Sequence, residues 1–262
     1  MAAGIESRVQ VPGARLRMRV DGPVGAPWLV FSNSLATDLT LWNPQVAAFA
    51  LRYRMLRYDY RGHGASDPGT GEFGPAVLAD DLLAVMDAAG VDRACHVGTS
   101  MGALAGLAAA ARMPQRFGRL VLCGARLASS AVAAADLEKR AGIAQAQGME
   151  ALVDATLAKW FGASNPAPAL RARIAAMIRA TDPQSFAAYA RGMRDYDLST
   201  RPEAPVLLVA GSGDAGIAAA FATVAAGDAS VEFRLIEGAG HLPNIEAADK
   251  FNAVLARFSG GC

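Results

Sequence analysis

The chain has 262 residues, 53% of them hydrophobic and 19% charged, with a formal net charge of +1. That length suits one α/β domain, or one domain carrying an insertion, and that balance excludes a disordered chain. Near-neutrality without any block of like charges excludes an electrostatic footprint for nucleic acid or an anionic membrane surface.

Taken in chain order, the N-terminal stretch "MAAGIESRVQVPG" has no apolar core of the kind a secretory signal needs. The runs "SRVQV", "RLRMRVDG" and "PWLVFSNS" then read as strands. The second alternates apolar and polar residues, as a half-buried antiparallel strand does. The third is continuously apolar, as a strand covered on both faces would be. Helix "PQVAAFALR", strand "YRMLRYDY" and helix "VLADDLLAVMDAAG", closed by Gly90, follow. Next come strand "RACHVG", helix "MGALAGLAAAARMP" and strand "GRLVLCG".

From about Ala125 to Arg201 only helix signals occur: "ADLEKRAGIAQAQ", "MEALVDATLAKWFG", "PALRARIAAMIRAT" and "DPQSFAAYARGMRDYD". Strand "APVLLVAG", helix "IAAAFATVAAG", strand "SVEFRLIEG" and helix "AADKFNAVLARF" complete the chain. This alternation predicts an α/β fold: a mainly parallel, doubly wound sheet of about eight strands. The expected domains are a core of residues 1–125 and 202–262 and a helical cap of 126–201, inserted after the sixth strand. Such a cap lies over the C-terminal edge of the sheet, where ligands bind in open α/β sheets.

Cys95, Cys123 and Cys262 form no CxxC pair and no disulfide framework. The first two fall in strands expected to be buried, where a thiol acts as a small hydrophobe. No apolar run is long enough to span a bilayer. The expectation is a soluble protein of a reducing, cytoplasmic compartment.

The chemistry concentrates at "HVGTSMG", residues 96–102. Gly98-Thr99-Ser100-Met101-Gly102 fits G-x-S-x-G between a strand and a helix, the setting of a nucleophile elbow. A sharp turn there strains the serine backbone and pushes Oγ out above the sheet edge, so its neighbours must be small. The Met101 N–H then points from a helix N-terminus, where the dipole favours negative charge. A serine hydroxyl also needs a base. Of the three histidines, His96 lies inside a strand and reads as a packed core residue. His63, in "RYDYRGHGAS", reads as a loop holder. His241, in "EGAGHLPNIE" after the last strand, shares the edge with Ser100 and is the expected base. Asp214, after the penultimate strand, fits the chain order nucleophile, acid, base, and would orient the imidazole. Two preorganised donors would hold an oxyanion. Met101 N–H is one. The other is expected from "FSNSLATDLTLW", with Leu35 N–H first and Ser34 next. No metal or organic cofactor is expected, since the chain has no HExxH run and its Cys and His residues lack metal-ligand spacing.

These residues resemble the α/β-hydrolase fold family. Within it the chain is similar to the 3-oxoadipate enol-lactone hydrolases, through "SNSLATDLTLWNPQVAAF", "YRMLRYDYRGHGAS", "VGTSMGALAGLAAAARMPQRFGRLVLC", "ALVDATLAKWF", "ATDPQSFAAYARGMRDYDL" and "GAGHLPNIE". It departs at Ala36 and Ala103, where glycine is common, and at "GSGDAGIAAA", which lacks a Pro-containing "D-x-x-T-P-P" segment beside the pocket. The resemblance implies hydrolysis of a small carboxylated enol-lactone through an acyl-enzyme. A carboxylated substrate calls for an arginine. Arg126, Arg140, Arg191, Arg194 and Trp160 are the available candidates, Arg126 being nearest the sheet edge by topology, and Ser34 would also face the substrate. Two alternatives stay open: a carboxylesterase, thioesterase or perhydrolase of the same fold, and a non-catalytic ligand-binding protein on that scaffold. The expected partner is a small ester or lactone, with no nucleic acid and no membrane; a homo-oligomer is compatible with the sequence.

Overall fold

The computed structural model describes residues 4–260, so Cys262 lies outside the described residues. Eight strands form one sheet: β1 (Ile5–Val11), β2 (Ala14–Asp21), β3 (Trp28–Ser32), β4 (Arg54–Tyr58), β5 (Ala94–Thr99), β6 (Phe117–Cys123), β7 (Val206–Gly211) and β8 (Val231–Ile236). Their order across the sheet is β1-β2-β4-β3-β5-β6-β7-β8. β2 runs antiparallel to both β1 and β4; every pairing from β4 to β8 is parallel. The alternating pattern of "RLRMRVDG" thus marks the antiparallel flank. Every residue of β5 and of β7 is buried, which requires cover on both faces.

The helices are α1 (Asn43–Phe49), α2 (Pro75–Ala88), α3 (Met101–Arg112), α4 (Ala131–Gln147), α5 (Val153–Phe161), α6 (Pro168–Ala180), α7 (Pro183–Gly192), α8 (Ala215–Gly227), α9 (Pro243–Glu246) and α10 (Ala248–Ser259). Local chemistry sets their ends. α2 starts on Pro75, whose missing N–H costs nothing at that position, and Gly90 turns the chain out at φ +69°. Ser130 caps α4 by accepting the Ala133 N–H, and Asp182 caps α7 by accepting the Ser185 N–H at 2.7 Å. Trp42, fully buried, packs on Phe31 of β3 and on Phe251 of α10. Among the described residues no helix is long and apolar enough to cross a membrane.

Between β6 and β7 the chain forms α4 to α7, with α4 packed on α7 and α5 on α6. One feature differs from the all-helical expectation. Residues 127–129 and 196–198 run antiparallel where this segment begins and ends, joined by Ser129 N–H to Tyr196 O and Leu198 N–H to Leu127 O, both 2.8 Å. The reason is topological. The segment leaves one strand and returns to its neighbour, so its two ends meet. The core holds it elsewhere too: Asp182 N–H donates to Gly62 O, Phe73 N–H to Ala188 O, and an Arg173 guanidinium N–H to Thr40 O.

The turn after β5 explains its glycines. Ser100 sits at φ 53°, ψ −115°, outside the regions an L-residue normally occupies. A Cβ on Gly98 would stand 2.3 Å from the Gly102 backbone, and one on Gly102 would stand 2.1 Å from Ser32 O. Both obstacles are backbone, so no rotamer relieves them. Gly102→Ala is therefore expected to destabilise the protein by about 2 kcal/mol or more, read as a fall in Tm of several degrees. A variant that melts with the wild type would show that the turn tolerates the extra methyl.

Candidate active site

The parallel strands bring the loops after β3, β5, β6, β7 and β8 to one edge of the sheet. Ser100 follows β5, and its N–H donates to Cys123 O at 2.7 Å, tying the turn to the end of β6. Met101 opens α3, so its N–H has no intrahelical acceptor. Asp214 stands at the start of α8. His241 lies between β8 and α9.

His241 Nδ1 and Asp214 Oδ2 are 2.7 Å apart. A carboxylate only accepts, so Nδ1 is the donor in this contact. Three further contacts fix this imidazole. The His241 N–H donates to Trp160 O at 2.7 Å, and the Trp160 ring stacks on the imidazole, with centroids 5.9 Å apart and planes at 21°. The Glu246 carboxylate accepts the N–H groups of Gly240 and Leu242, on either side of His241, at 2.8 Å each. Ser100 Oγ makes no hydrogen bond among the described residues; it borders the cavity, and a serine hydroxyl rotates to suit its partner.

Ser100, Asp214 and His241 line one cavity of about 590 Å³. Ser34, Leu35, Met101, Arg126 and Trp160 line it as well. Arg191, counted at first among the substrate-facing residues, does not. Its Nε donates to Glu138 at 3.0 Å, and Arg194, just past α7, donates to the same carboxylate at 2.6 Å, so both arginines are taken up in ties to α4. Arg140 does line the cavity. Its Nη2 lies 3.3 Å from Thr156 Oγ1 and its guanidinium stands 5.4 Å from the centre of the Phe186 ring. Among the described residues no carboxylate lies within 4 Å of it. Burial lowers its pKa, because the charged form loses hydration that the Asp136 carboxylate, one turn away on α4 and paired with Lys159, offsets only in part.

Sequence reasoning passed over Asp136, Lys159 and Tyr196, which also line the cavity. Lys159 and Asp136 form an ion pair at 2.7 Å. The signal for the α4 residues was present. Ala133, Asp136, Leu137 and Arg140 recur at helical spacing, so one face of α4 carries both charges to the cavity.

A model of the alpha/beta hydrolase fold matches residues 27–248. The chain belongs to the alpha/beta hydrolase fold family. It is 31% identical over 257 residues to 3-oxoadipate enol-lactonase 1 of Acinetobacter baylyi, covering 94% of this chain and 93% of that one. It is 30% identical to a putative carbamate hydrolase, RutD, of Klebsiella pneumoniae, covering 88% and 90%. The crystal structure of the enol-lactonase from Burkholderia xenovorans LB400 superposes with a TM-score of 0.86 at 35% identity, covering 96% of this chain and 99% of that one. This alpha/beta hydrolase thus aligns with two enol-lactonases and a putative carbamate hydrolase along nearly its whole length, the helical segment included.

The two remaining histidines are core residues of this hydrolase. His96 is fully buried, with Nε2 2.9 Å from Ser32 Oγ, and burial pulls its pKa down to about 3. His63 is fully buried between Arg61 O and the Ala36 N–H, and burial pulls its pKa down to about 4. Both imidazoles are neutral in the fold, whereas the unfolded chain takes up protons near 6.5. Acid therefore favours unfolding. The stability each supplies is complete above pH 6.5 and lost as pH falls toward the folded value. Asp59, raised to about 6 by burial, has the opposite sign: its share is present below 3.8 and lost as pH rises through 6. His96→Gln removes one such proton. It is expected to flatten the dependence of unfolding free energy on pH between 6.5 and 4, by up to about 1.4 kcal/mol per pH unit. Urea melts of both proteins across that range measure it; parallel profiles would show that His96 is protonated alike in both states.

Proposed function

We propose that the chain is a serine hydrolase that opens a small carboxylated enol-lactone, 3-oxoadipate enol-lactone, to the open oxo-dicarboxylate. The observation that carries the choice of substrate is Arg140: a cation in the cavity wall that no carboxylate among the described residues contacts directly, its neighbour Asp136 being paired with Lys159. A cation in that position is costly unless an anion meets it, and a substrate carboxylate is an anion the protein need not supply. The 31% identity to an enol-lactonase over 94% of the chain supports the same reading. Arg126, which makes no ion pair among the described residues, is a second contact available to the carboxylate.

In this reading Ser100 Oγ passes its proton to His241 Nε2 and attacks the lactone carbonyl. Asp214 holds the Nδ1–H tautomer and stabilises the imidazolium. The oxyanion rests on the N–H groups of Leu35 and Met101. The ring C–O bond breaks, the enol oxygen takes a proton and the enol tautomerises to the ketone. An enolate leaves more readily than a simple alkoxide, so acid assistance matters less in this step than in the next. Water, giving its proton to His241, then cleaves the acyl-enzyme and releases Ser100.

A second reading is an esterase of the same fold for a larger carboxylated ester. The cavity volume of about 590 Å³ favours it, being ample for a six-carbon lactone. So does the loop after Asp214, where the departure "GSGDAGIAAA" puts Ile217 at the cavity with no proline to narrow it.

Two expectations test these assignments. Phenylmethylsulfonyl fluoride transfers its sulfonyl group to the Ser100 oxygen with loss of HF, adding the sulfonyl mass to that peptide, and Ser100→Ala loses roughly six orders of magnitude in kcat. Labelling elsewhere with activity retained would remove the serine mechanism. Arg140→Met raises KM for the free-acid lactone by roughly 10- to 100-fold and leaves the uncharged methyl ester unaffected. Equal effects on acid and ester would count against a carboxylate at Arg140, and a preference for longer esters would favour the second reading.

A further inference from the structure

Leu35 belongs to a four-residue turn, Ser34 to Thr37, in which the Thr37 N–H donates to Ser34 O at 3.2 Å and the Thr37 hydroxyl donates to the same oxygen at 2.7 Å. Those bonds fix the Ser34–Leu35 peptide by its carbonyl end. A trans peptide points its N–H opposite to its C=O, so the Leu35 N–H is turned away from Thr37. It makes no hydrogen bond among the described residues, and Leu35 lines the cavity.

The next peptide is the weak point of this turn. Ala36 has φ +62°, a left-handed conformation natural to glycine and strained for a residue with a Cβ. Alanine nonetheless stands there, so something outside the turn must hold it. That something is His63. The Ala36 N–H donates to His63 Nε2 at 2.9 Å, and His63 Nδ1 lies 2.9 Å from Arg61 O. The N–H can only donate and the carbonyl can only accept. The ring is therefore neutral, with its proton on Nδ1 and its lone pair on Nε2. Its surroundings enforce this state. The side chain is fully buried, edge-on to Tyr60 and Tyr189, and burial outweighs the pull of Arg61 O, Asp38 and Asp182 toward protonation.

We propose that His63 is a positioning residue for the reaction: by accepting the Ala36 N–H it holds the Leu35–Ala36 peptide in its strained orientation and so aims the Leu35 N–H at the developing oxyanion. The proposal rests on the serine-hydrolase reading, in which that N–H is an oxyanion donor. It assigns to a loop of β4 a part in chemistry carried out by the loops of β3 and β5. It also explains how alanine is tolerated at position 36, since the acceptor supplies from outside the conformational bias that glycine would supply from within.

Three substitutions separate this role from simple packing. His63→Gln offers a side-chain oxygen near the place of Nε2 and keeps an acceptor for Ala36. His63→Asn keeps a donor near the place of Nδ1 for Arg61 O and loses the acceptor. His63→Leu loses both. The expected order of kcat is wild type, then Gln, then Asn and Leu together, with Asn lower than wild type by roughly 10- to 100-fold and KM unchanged. Removal of an oxyanion donor outright costs roughly 100- to 1,000-fold, and misaiming costs less. The affinity of a boronic acid or trifluoromethyl ketone, which forms a tetrahedral adduct on the serine, falls in parallel with kcat. A packing role alone would lower Tm and leave both ratios unchanged.

A wild-type measurement needs no variant to fold: a scalar coupling across the hydrogen bond between Ala36 ¹⁵N and His63 ¹⁵Nε2 is expected, and its absence would sink the proposal. Asn at wild-type kcat and inhibitor affinity, with Ser100→Ala inactive, overturns the His63 role alone. Ser100→Ala at wild-type activity overturns the hydrolase reading and this proposal together.

Discussion

The backbone strain at Ser100 is the constraint on which the rest of the site depends. A serine at φ 53°, ψ −115° does not relax because its surroundings leave it nowhere to go. Its N–H is bound to β6, and the glycines on either side meet backbone at distances no Cβ could share. The same packing draws the β3 loop close, since it is Ser32 O that Gly102 touches. One tight contact thus holds the serine turn and starts α3 with a bare N–H beside the cavity that Leu35 also lines. Further along the edge the pattern recurs: Gly124, at φ +61°, passes 2.9 Å from His241 O when given a Cβ, and Gly211 has the Gly240 carbonyl in its place.

Around this strained centre the polar groups are held by neighbours rather than by solvent. Asp59 accepts the N–H groups of Leu39 and Ala65, Asn33 bridges Tyr58 O and the Trp42 indole N–H, and His63 carries Ala36. The loops that would form an oxyanion site are therefore anchored from below by side chains of the β3 and β4 region. The helical segment anchors the other wall. Through Trp160 it touches both the backbone and the ring of His241, and through Asp182, Ala188 and Arg173 it grips the core at separate points. Its charged residues meet the cavity from α4 and α5. The residues around the serine turn and the charged residues of the cavity wall thus come from different parts of the chain, the arrangement expected where one scaffold serves many substrates.

Much of this was legible in the residues. The order of strands and helices followed from periodicity, because a strand buried on both faces and an amphipathic helix write different patterns. The serine turn was legible because its glycines answer a backbone demand local to seven residues. His96 and His63 were readable as held residues from their positions in a strand and in a Gly-rich loop. Other features were not. Arg191 and Arg140 look alike in sequence, and which of them meets the cavity depends on whether Glu138 stands within reach. The antiparallel contact of residues 127–129 with 196–198 has no local signature, since it arises only because β6 and β7 are neighbours.

The amino-acid sequence by itself determined the α/β layering, the strained serine between two glycines, and an aspartate and a histidine placed after the last two strands. These depend on short-range sterics and on hydrophobic period, which a chain carries wherever it goes. The tertiary structure alone decided the 2.7 Å approach of His241 to Asp214, the acceptor that His63 presents to Ala36, and the choice of Arg140 over Arg191 at the cavity. Those are meetings between residues 27 or more positions apart, or a competition among arginines for one carboxylate. Neither leaves a trace in the sequence until the sheet has set its neighbours side by side.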